Sequence, residues 1–434
     1  MTGEDVCARM REDWNRRARE DAKYYVAFGR RGQDDEEFFA SGVDLARGLA
    51  RELDRLPPGN PRARRALEIG CGLGRLMLPL APLFGEIHGV DVSDEIVGLA
   101  REKLRHIPHA HVHLTRGADL AAFADESFDF VYSYAVFQHI PSRDVIFSYL
   151  REAHRVLKPH GIFRFQVNGL PQSGGEFDTW RGVAIAADEL AWFARENDFQ
   201  VLALEGVRTQ YQWVTLRKRT AGWFAALEKA ASEARVQIRR VTNAHSSEPV
   251  AAARGRFAAV SLWVEDLPED CDLNTLSVTV AGQPARGAYL GPPRHGLVQF
   301  NIELPDGLAS GLQPVEIHWL GRPLAPRIFL RVIPPPPPVP RVVEVSDGID
   351  LLAGPRIRSR TVRVVLEEVE HPERFDATVG GHPIGEREIT CADPRTPIHQ
   401  ISFALPGAVG PGQHELAIRI GDRRFPPVTL EVSA

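Results

Sequence analysis

Gly70, Gly72 and Gly74 alternate between an apolar run (Ala66 to Ile69) and an apolar, helix-compatible stretch from Leu76 to Leu83. Residues of these types at this spacing predict a strand, a tight turn and a helix start. Glycine accepts the left-handed backbone that such a turn needs, and without a Cβ it lets a ligand approach bare backbone. The N–H groups of the helix start then point at that ligand. Two acids downstream extend the pattern. Asp91 closes a second apolar run, Glu86 to Val90, and a carboxylate there can accept hydrogen bonds from both hydroxyls of a ribose. Asp119 follows a third run, His111 to Thr115, within Gly117-Ala118-Asp119-Leu120.

Each acid also has a plainer use. Asp91-Val92-Ser93 can be no more than a helix N-cap box, Asp119 a surface loop residue, and Glu68 a cap of local backbone. A dinucleotide fingerprint needs Gly-x-Gly-x-x-Gly, and here the third glycine comes one place early. A Walker-type phosphate loop is excluded, because no Gly-Lys-Ser/Thr follows. His139 is the best candidate for a general base. His109, His111 and His113 alternate on a predicted strand edge, read as solvent-exposed rather than as metal ligands. The four cysteines are scattered, without metal spacing or a disulfide framework.

The elements around these residues alternate strand and helix from about Arg64 to Arg219. Predicted strands are Ala66 to Ile69, Glu86 to Val90, His111 to Thr115, Phe128 to Ser133, Ile162 to Val167, Val201 to Gly206 and Gln210 to Arg217. Predicted helices are Leu76 to Leu83, Glu95 to Leu104 with Ser93 as N-cap, Ile146 to Leu157 ended by Lys158-Pro159-His160-Gly161, and Asp188 to Arg195. Such alternation predicts a mostly parallel sheet covered on both faces, closed by an antiparallel pair. Upstream, Val6, Met10, Trp14, Ala18, Ala22 and Tyr25 recur at helical spacing. A second helix is expected from Asp34 to Leu53, stopped by Pro57-Pro58-Gly59.

Taken in order, Glu68-x-Gly70-Cys71-Gly72-x-Gly74, Val90-Asp91, Gly117-Ala118-Asp119-Leu120, Ser127 to Ser133, Ala135 to Pro141 and Leu150 to Ile162 resemble the class I S-adenosylmethionine-dependent methyltransferases over residues about 60–219. The resemblance implies an enzyme with a Rossmann-like, doubly wound, seven-stranded sheet and S-adenosyl-L-methionine as cofactor. It implies a cofactor-binding set of Glu68, Gly70, Cys71, Gly72, Gly74, Arg75, Asp91, Val92, Ala118, Asp119, Leu120, Tyr134 and Ala135. In that set Asp91 takes the ribose, Asp119 the adenine, Glu68 orients the loop, and Gly70 to Gly74 face the methionine end. Cys71 reads as a small packed residue rather than a nucleophile, and Arg75 as either solvated or paired with the methionine carboxylate. Trp14, Tyr24, Tyr25, Tyr134 and Phe137 are candidates to hold a sulfonium by cation–π attraction. The acceptor is an O or N of an unidentified small molecule, glycan or lipid-linked compound. Residues 1–56 and Pro171 to Val183 are the variable segments expected to shape its pocket. A catalytically silent cofactor-binding scaffold is the competing reading, and a nicotinamide-dependent oxidoreductase a further one.

After Arg219 the character changes. A connecting helix is expected over 220–235, and then short alternating runs appear twice. Val278-Thr279-Val280-Ala281-Gly282-Gln283-Pro284 matches Ala377-Thr378-Val379-Gly380-Gly381-His382-Pro383, and Val298 to Pro305 matches His399 to Pro406. Two strand-rich copies of about 95 residues read as tandem β-sandwiches. They resemble bacterial immunoglobulin-like modules of the transcription-factor type, serving as a spacer, an oligomer or protein contact, or a recognition module. The expected domains are 1–56 (helical lid), 57–219 (methyltransferase), 220–235, 236–333 (first sandwich), 334–340 (a Pro-rich, semi-rigid spacer) and 341–434 (second sandwich). With 44% hydrophobic and 25% charged residues and a net charge of −5, the chain reads as a soluble, cytoplasmic protein, with neither a nucleic-acid nor a membrane partner.

Overall fold

The computed structural model describes residues 3–27, 31–170, 178–180, 182–227, 236–255, 257–335, 339–348, 354–393 and 398–433. The chain divides into two compact units, Met1–Arg19 with Phe39–Pro335, and Glu20–Phe38 with Pro336–Ala434. The expected N-terminal helix is α1 (Gly3–Ala27), which leaves helical geometry at Asp21. The expected second helix is broken into α2 (Asp35–Ala40), α3 (Val43–Ala50) and a 3-10 turn at Arg51–Arg55. Gly42 lies at the break and precedes α3. A Cβ there would lie 2.8 Å from the carbonyl oxygen of Arg75, so the chain crosses the glycine-loop region in close backbone contact.

Seven strands follow in the predicted order. β1 (Arg65–Ile69) leads through the glycine turn to α4 (Met77–Leu80), which is shorter than expected. Pro79 and Pro82 remove two N–H donors, and the chain tightens into a 3-10 turn at Ala81–Leu83. β2 (Glu86–Asp91), α5 (Asp94–Leu104), β3 (Ala110–Leu114), β4 (Phe128–Ser133) and α6 (Arg143–Val156) come next. β5 (Leu157–Val167) begins earlier than expected. The Lys158-Pro159-His160-Gly161 stretch is a bulge inside it, since Phe128 pairs with Leu157 but Phe130 already pairs with Ile162. α7 (Ala187–Glu196), β6 (Phe199–Glu205) and β7 (Gln212–Lys218) complete the sheet.

The strand order is β3-β2-β1-β4-β5-β7-β6. The first five are parallel, while β7 is antiparallel to both β5 and β6. Order reverses between β1 and β4, which opens a crevice at their carboxyl ends. β1, β2 and β4 are buried almost throughout, as strands covered on both faces must be.

Beyond α8 (Trp223–Leu227) the repeat in sequence is a repeat in topology; residues 228–235 of the expected connecting helix and 336–338 of the Pro-rich run lie outside the described residues. In the first copy Gln237–Asn243, Ala259–Glu265, Leu297–Glu303 and Gln283–Leu290 pair in that order. Leu276–Val280, Gly311–Trp319, Ile328–Ile333 and Val250–Ala252 form the other path, ending in a parallel pair. The second copy repeats this. Arg341–Asp347, Thr361–Glu367, Ile398–Ala404 and Arg387–Asp393 pair in order, and so do Phe375–Val379, Gly412–Ile420, Val428–Val432 and Arg356–Ile357.

The first copy belongs to the same compact unit as the seven-stranded sheet and covers its β6 edge. Tyr289 pairs with Ala203. Leu273 N–H donates to Val201 O at 3.0 Å, and Val201 N–H donates to Asp272 Oδ2 at 3.1 Å. The Gln200 amide donates to the carbonyls of Glu269 and Cys271, and Arg286 to that of Leu204. Asp272 is fully buried, and that burial pushes its carboxyl up to about 6.

Candidate functional site

The glycine loop sits at the β1/β4 crevice. Its backbone folds back on β2, with the N–H groups of Gly70 and Cys71 both donating to Val90 O at 2.8 and 3.0 Å. Gly70, Gly72 and Gly74 all have positive φ. Gly70 has a second reason to be glycine, since a Cβ would meet Val136 Cγ2 at 2.3 Å. Cys71 packs against Gly89 and Met77, and burial raises its thiol well above the ordinary range.

Asp91 closes the loop. Its Oδ2 accepts from Gly72 N–H at 3.1 Å and its Oδ1 from Ser93 N–H at 3.0 Å. Ser93 is also the N-cap of α5, accepting from Ile96 N–H. The serine is thus the cap of the plainer reading, while Asp91 itself holds the glycine loop. Burial lifts the Asp91 carboxyl to about 6. Glu68, behind the loop, accepts from Tyr132 Oη at 3.0 Å, and burial raises it to about 8. Arg75 is buried rather than solvated: Nη1 donates to Ser41 O at 3.1 Å, and its guanidinium lies 5.8 Å from the Tyr134 ring.

Asp119 is half-buried in the loop after β3. Thr115 Oγ1 donates to its carbonyl at 2.7 Å, and its Oδ1 accepts from Ala121 N–H. Leu120 N–H donates to Glu152 Oε2, while Arg155 donates to Leu120 O and pairs with Glu152. Glu152 and Arg155 thus fix the Ala118–Leu120 segment from α6. Sequence reading passed over this pair, which an i,i+3 acid–base spacing on a helix could have flagged.

Helix α1 packs across the same end of the sheet. Arg11 donates to Val92 O and Thr115 O at 3.1 and 3.0 Å. Asn15 donates to Asp94 Oδ1 and accepts from Ser93 Oγ, and Arg19 pairs with Glu95. A Cβ on Gly117 would lie 3.1 Å from Cys7 Cβ, so α1 rests directly on the Gly117 turn. Attention to the apolar residues alone missed Arg11, Asn15 and Arg17.

The aromatic candidates separate. Phe137 is fully buried against Tyr149 and Phe165, so it is a core residue and offers no face to a sulfonium. The Tyr134 ring stacks on Trp213 at 5.6 Å. Tyr24 and Tyr25 fall in the other unit, beside Arg31. Trp14 is half-buried, and the Arg17 guanidinium lies 4.8 Å from its ring and 5.3 Å from that of Trp180. Ala135 has a positive φ of 55°, uncommon for a residue with a Cβ. His139 is buried, and burial lowers its imidazole to about 4.

The histidines expected in solvent are half-buried instead. His88 on β2 pairs in register with His111, and its Nδ1 lies 3.1 Å from His113 Nε2. Phe123 and Phe128 wall the cluster edge-on. No group of three metal-binding side chains occurs among the described residues. Of the expected acceptor segment Pro171 to Val183, residues 171–177 and 181 lie outside the described residues.

Residues 67–165 match the methyltransferase domain family. That stretch is a methyltransferase domain. The chain is 29% identical over 188 residues to phosphoethanolamine N-methyltransferase 2 of Caenorhabditis elegans, covering 41% of each chain. It is 36% identical over 122 residues to a ubiquinone biosynthesis O-methyltransferase of Ruegeria pomeroyi, covering 27% of this chain and 47% of that one. A 2-methyl-6-phytyl-1,4-hydroquinone methyltransferase of Synechocystis is 32% identical over 130 residues, covering 29% of this chain and 38% of its own length. The chain spans less than half the length of each of these relatives.

Of the features S-adenosylmethionine would need, the domain has a buried carboxylate closing the loop at the end of β2, while the N–H groups of Gly70, Cys71 and Gly72 are taken up by Val90 O and Asp91. Among the described residues no helix is long and apolar enough to cross a membrane.

Proposed function

We propose that the chain transfers the methyl group of S-adenosylmethionine to an oxygen or nitrogen of a small-molecule or glycan acceptor. The observation that carries this reading is the closure of Asp91 on Gly72 at the β1/β4 crevice, beneath α1. Asp91 accepts from the backbone N–H groups of Gly72 and Ser93, with Val92 N–H also acting on it. A carboxylate has about four acceptor positions, so capacity remains for a ribose hydroxyl. The Ala118–Leu120 segment, held by Thr115 and Glu152, would take the adenine. Gly70 to Gly74, with Arg75 and Glu68 behind them, would take the methionine end, and Tyr134 and Ala135 would flank it.

The bound cofactor supplies a methyl group already activated by its sulfonium charge. The protein's task is then to hold the acceptor atom in line at about 3 Å, and orientation supplies much of the rate. Relatives named as an N-methyltransferase and an O-methyltransferase support leaving both acceptor atoms open. The strand repeats we read as immunoglobulin-like modules for protein contact. Cys7, Cys71 and Cys271 are buried thiols, which we read as fitting a reduced, cytoplasmic setting.

A second reading, a cofactor-binding scaffold without turnover, gains support from His139. Both of its ring nitrogens already have partners in the chain, Gln138 and Trp180. Titration calorimetry with S-adenosylmethionine tests the binding claim. Tight binding by the wild type that collapses in Asp91→Ala is expected, and no binding by the pure protein overturns it. Transfer of a labelled methyl group to any member of a panel of amines, phenols and sugars separates enzyme from scaffold.

A further inference from the structure

Four hydrogen bonds run in series from the end of β4 to the segment lying over α1. Ala135 N–H donates to Gln166 Oε1 at 3.1 Å, and Gln166 Nε2 donates to Gln138 Oε1 at 3.1 Å. Gln138 Nε2 lies 3.3 Å from His139 Nε2, and His139 Nδ1 lies 3.1 Å from the carbonyl oxygen of Trp180. Gln166, Gln138 and His139 are all buried.

The two ends set the polarity. A backbone N–H can only donate and a backbone carbonyl can only accept. Gln166 must therefore present its oxygen to Ala135 and its amino group to Gln138. Gln138 must in turn present its amino group to His139. His139 then accepts at Nε2 and carries its proton on Nδ1, donating to Trp180. Turning either amide over would set donor against donor or acceptor against acceptor, at the cost of unmade buried hydrogen bonds. A buried chain satisfied at every link is stiff and has one arrangement.

Both ends are significant positions. Ala135 holds the left-handed backbone, and Val136 beside it fills the space over Gly70. At the other end, Thr179 Oγ1 donates to Asp13 Oδ2, Arg17 donates to Thr179 O, and Trp180 flanks the Arg17 guanidinium. Gly182 N–H donates to Gln138 O, so close that a Cβ at 182 would lie 2.5 Å from that oxygen. Arg17 and Asp178 are the charged groups acting on His139.

We propose that Gln166, Gln138 and His139 are positioning residues, a one-way chain tying the cover over α1 to Ala135. In this role residues 178–180 must be seated for the glycine-loop side to hold cofactor at full affinity, and His139 positions rather than abstracts a proton. The inference rests on the cofactor reading above.

The test uses the full chain. Gln166→Glu keeps an oxygen for Ala135 but, ionised, has no proton for Gln138. Gln138→Glu accepts from Gln166 but cannot donate to His139. Each is expected to weaken S-adenosylmethionine binding about tenfold by calorimetry, the scale of one unmade buried hydrogen bond. Ring-nitrogen NMR of histidine-labelled protein, with His139→Asn to assign the signal, reads the proton directly. The wild type is expected to stay neutral with the proton on Nδ1 from about pH 8 to 5, against the ordinary titration near 6.5. Gln138→Glu is expected to bring a second proton onto His139. A wild-type proton on Nε2, a wild-type titration near neutral pH, or variants that bind cofactor as the wild type does would each overturn the proposal. Failure of the wild type to bind cofactor would instead defeat the methyltransferase reading, while the NMR result would still judge the chain.

Discussion

Asp91 and Gly72 are joined by a hydrogen bond of 3.1 Å from the loop N–H to a buried carboxylate oxygen. One side chain thus shapes the loop and, in the proposed reading, also takes the ribose. Asp91→Ala removes both roles and should weaken S-adenosylmethionine binding by at least about 30-fold, since losing a charge-assisted bond costs about 2 kcal/mol. Asp91→Asn keeps the shape but presents an amide, so its loss should lie between. Calorimetric affinities for the two variants check the order, and equal affinities would remove Asp91 from the site.

Gly70→Ala places a methyl group at positive φ and 2.3 Å from Val136 Cγ2. Strain of this kind costs about 1 to 3 kcal/mol. Val136→Ala in the same chain relieves the collision but not the φ. The double variant should therefore regain part of the lost melting temperature without regaining full cofactor affinity.

Glu68 gives a pH dependence with a definite sign. Burial raises its carboxyl from the ordinary 4.5 to about 8, so the folded state keeps a proton that the unfolded chain releases. Its contribution to stability is fully present below about pH 4.5 and is lost as pH rises toward 8. Glu68→Gln, which cannot ionise, should flatten the fall in thermal midpoint across that window. A variant whose pH profile parallels the wild type would refute the assignment.

Asp272 makes the first strand repeat part of the sheet's stability. It accepts from Val201 N–H, Thr275 N–H and Thr275 Oγ1 while fully buried. Asp272→Ala leaves those donors unpaired and should cost about 3 kcal/mol or more. A chain ending after Arg219 exposes the β6 edge, and such edges template aggregation. Light scattering should find it aggregated where the chain ending at Pro335 stays monodisperse; a soluble, cofactor-binding 1–219 fragment would be the contrary result.

The strand–helix alternation from Arg64 to Arg219, Ser93 as a cap and the doubled C-terminal pattern were legible because each is a local signal. Periodicity and capping are written in consecutive residues. The long helix expected to Leu53 is interrupted at Ser41 and Gly42, where the backbone comes close to Arg75, a contact that spacing cannot place. Phe137 looked like a site aromatic from its place after β4, yet its side chain turns into the core. Arg11 and Asn15, 81 and 79 residues in sequence from their partners Val92 and Asp94, could not be placed by spacing. The edge contact of the first repeat, with Asp272 and Val201 separated by 71 residues, was equally invisible.

That edge contact orders events in time. β6 ends at Glu205, but the residue that pairs with it from the repeat is Tyr289. During synthesis the methyltransferase strands leave the ribosome well before their last neighbour does. At about 5 to 20 residues per second the delay is several seconds, far longer than hairpin formation. For that interval the nascent chain carries a nearly complete sheet with one open side. The β6 edge is covered only when the repeat arrives, so anything that surveys the growing chain in that interval meets the sheet with this side open.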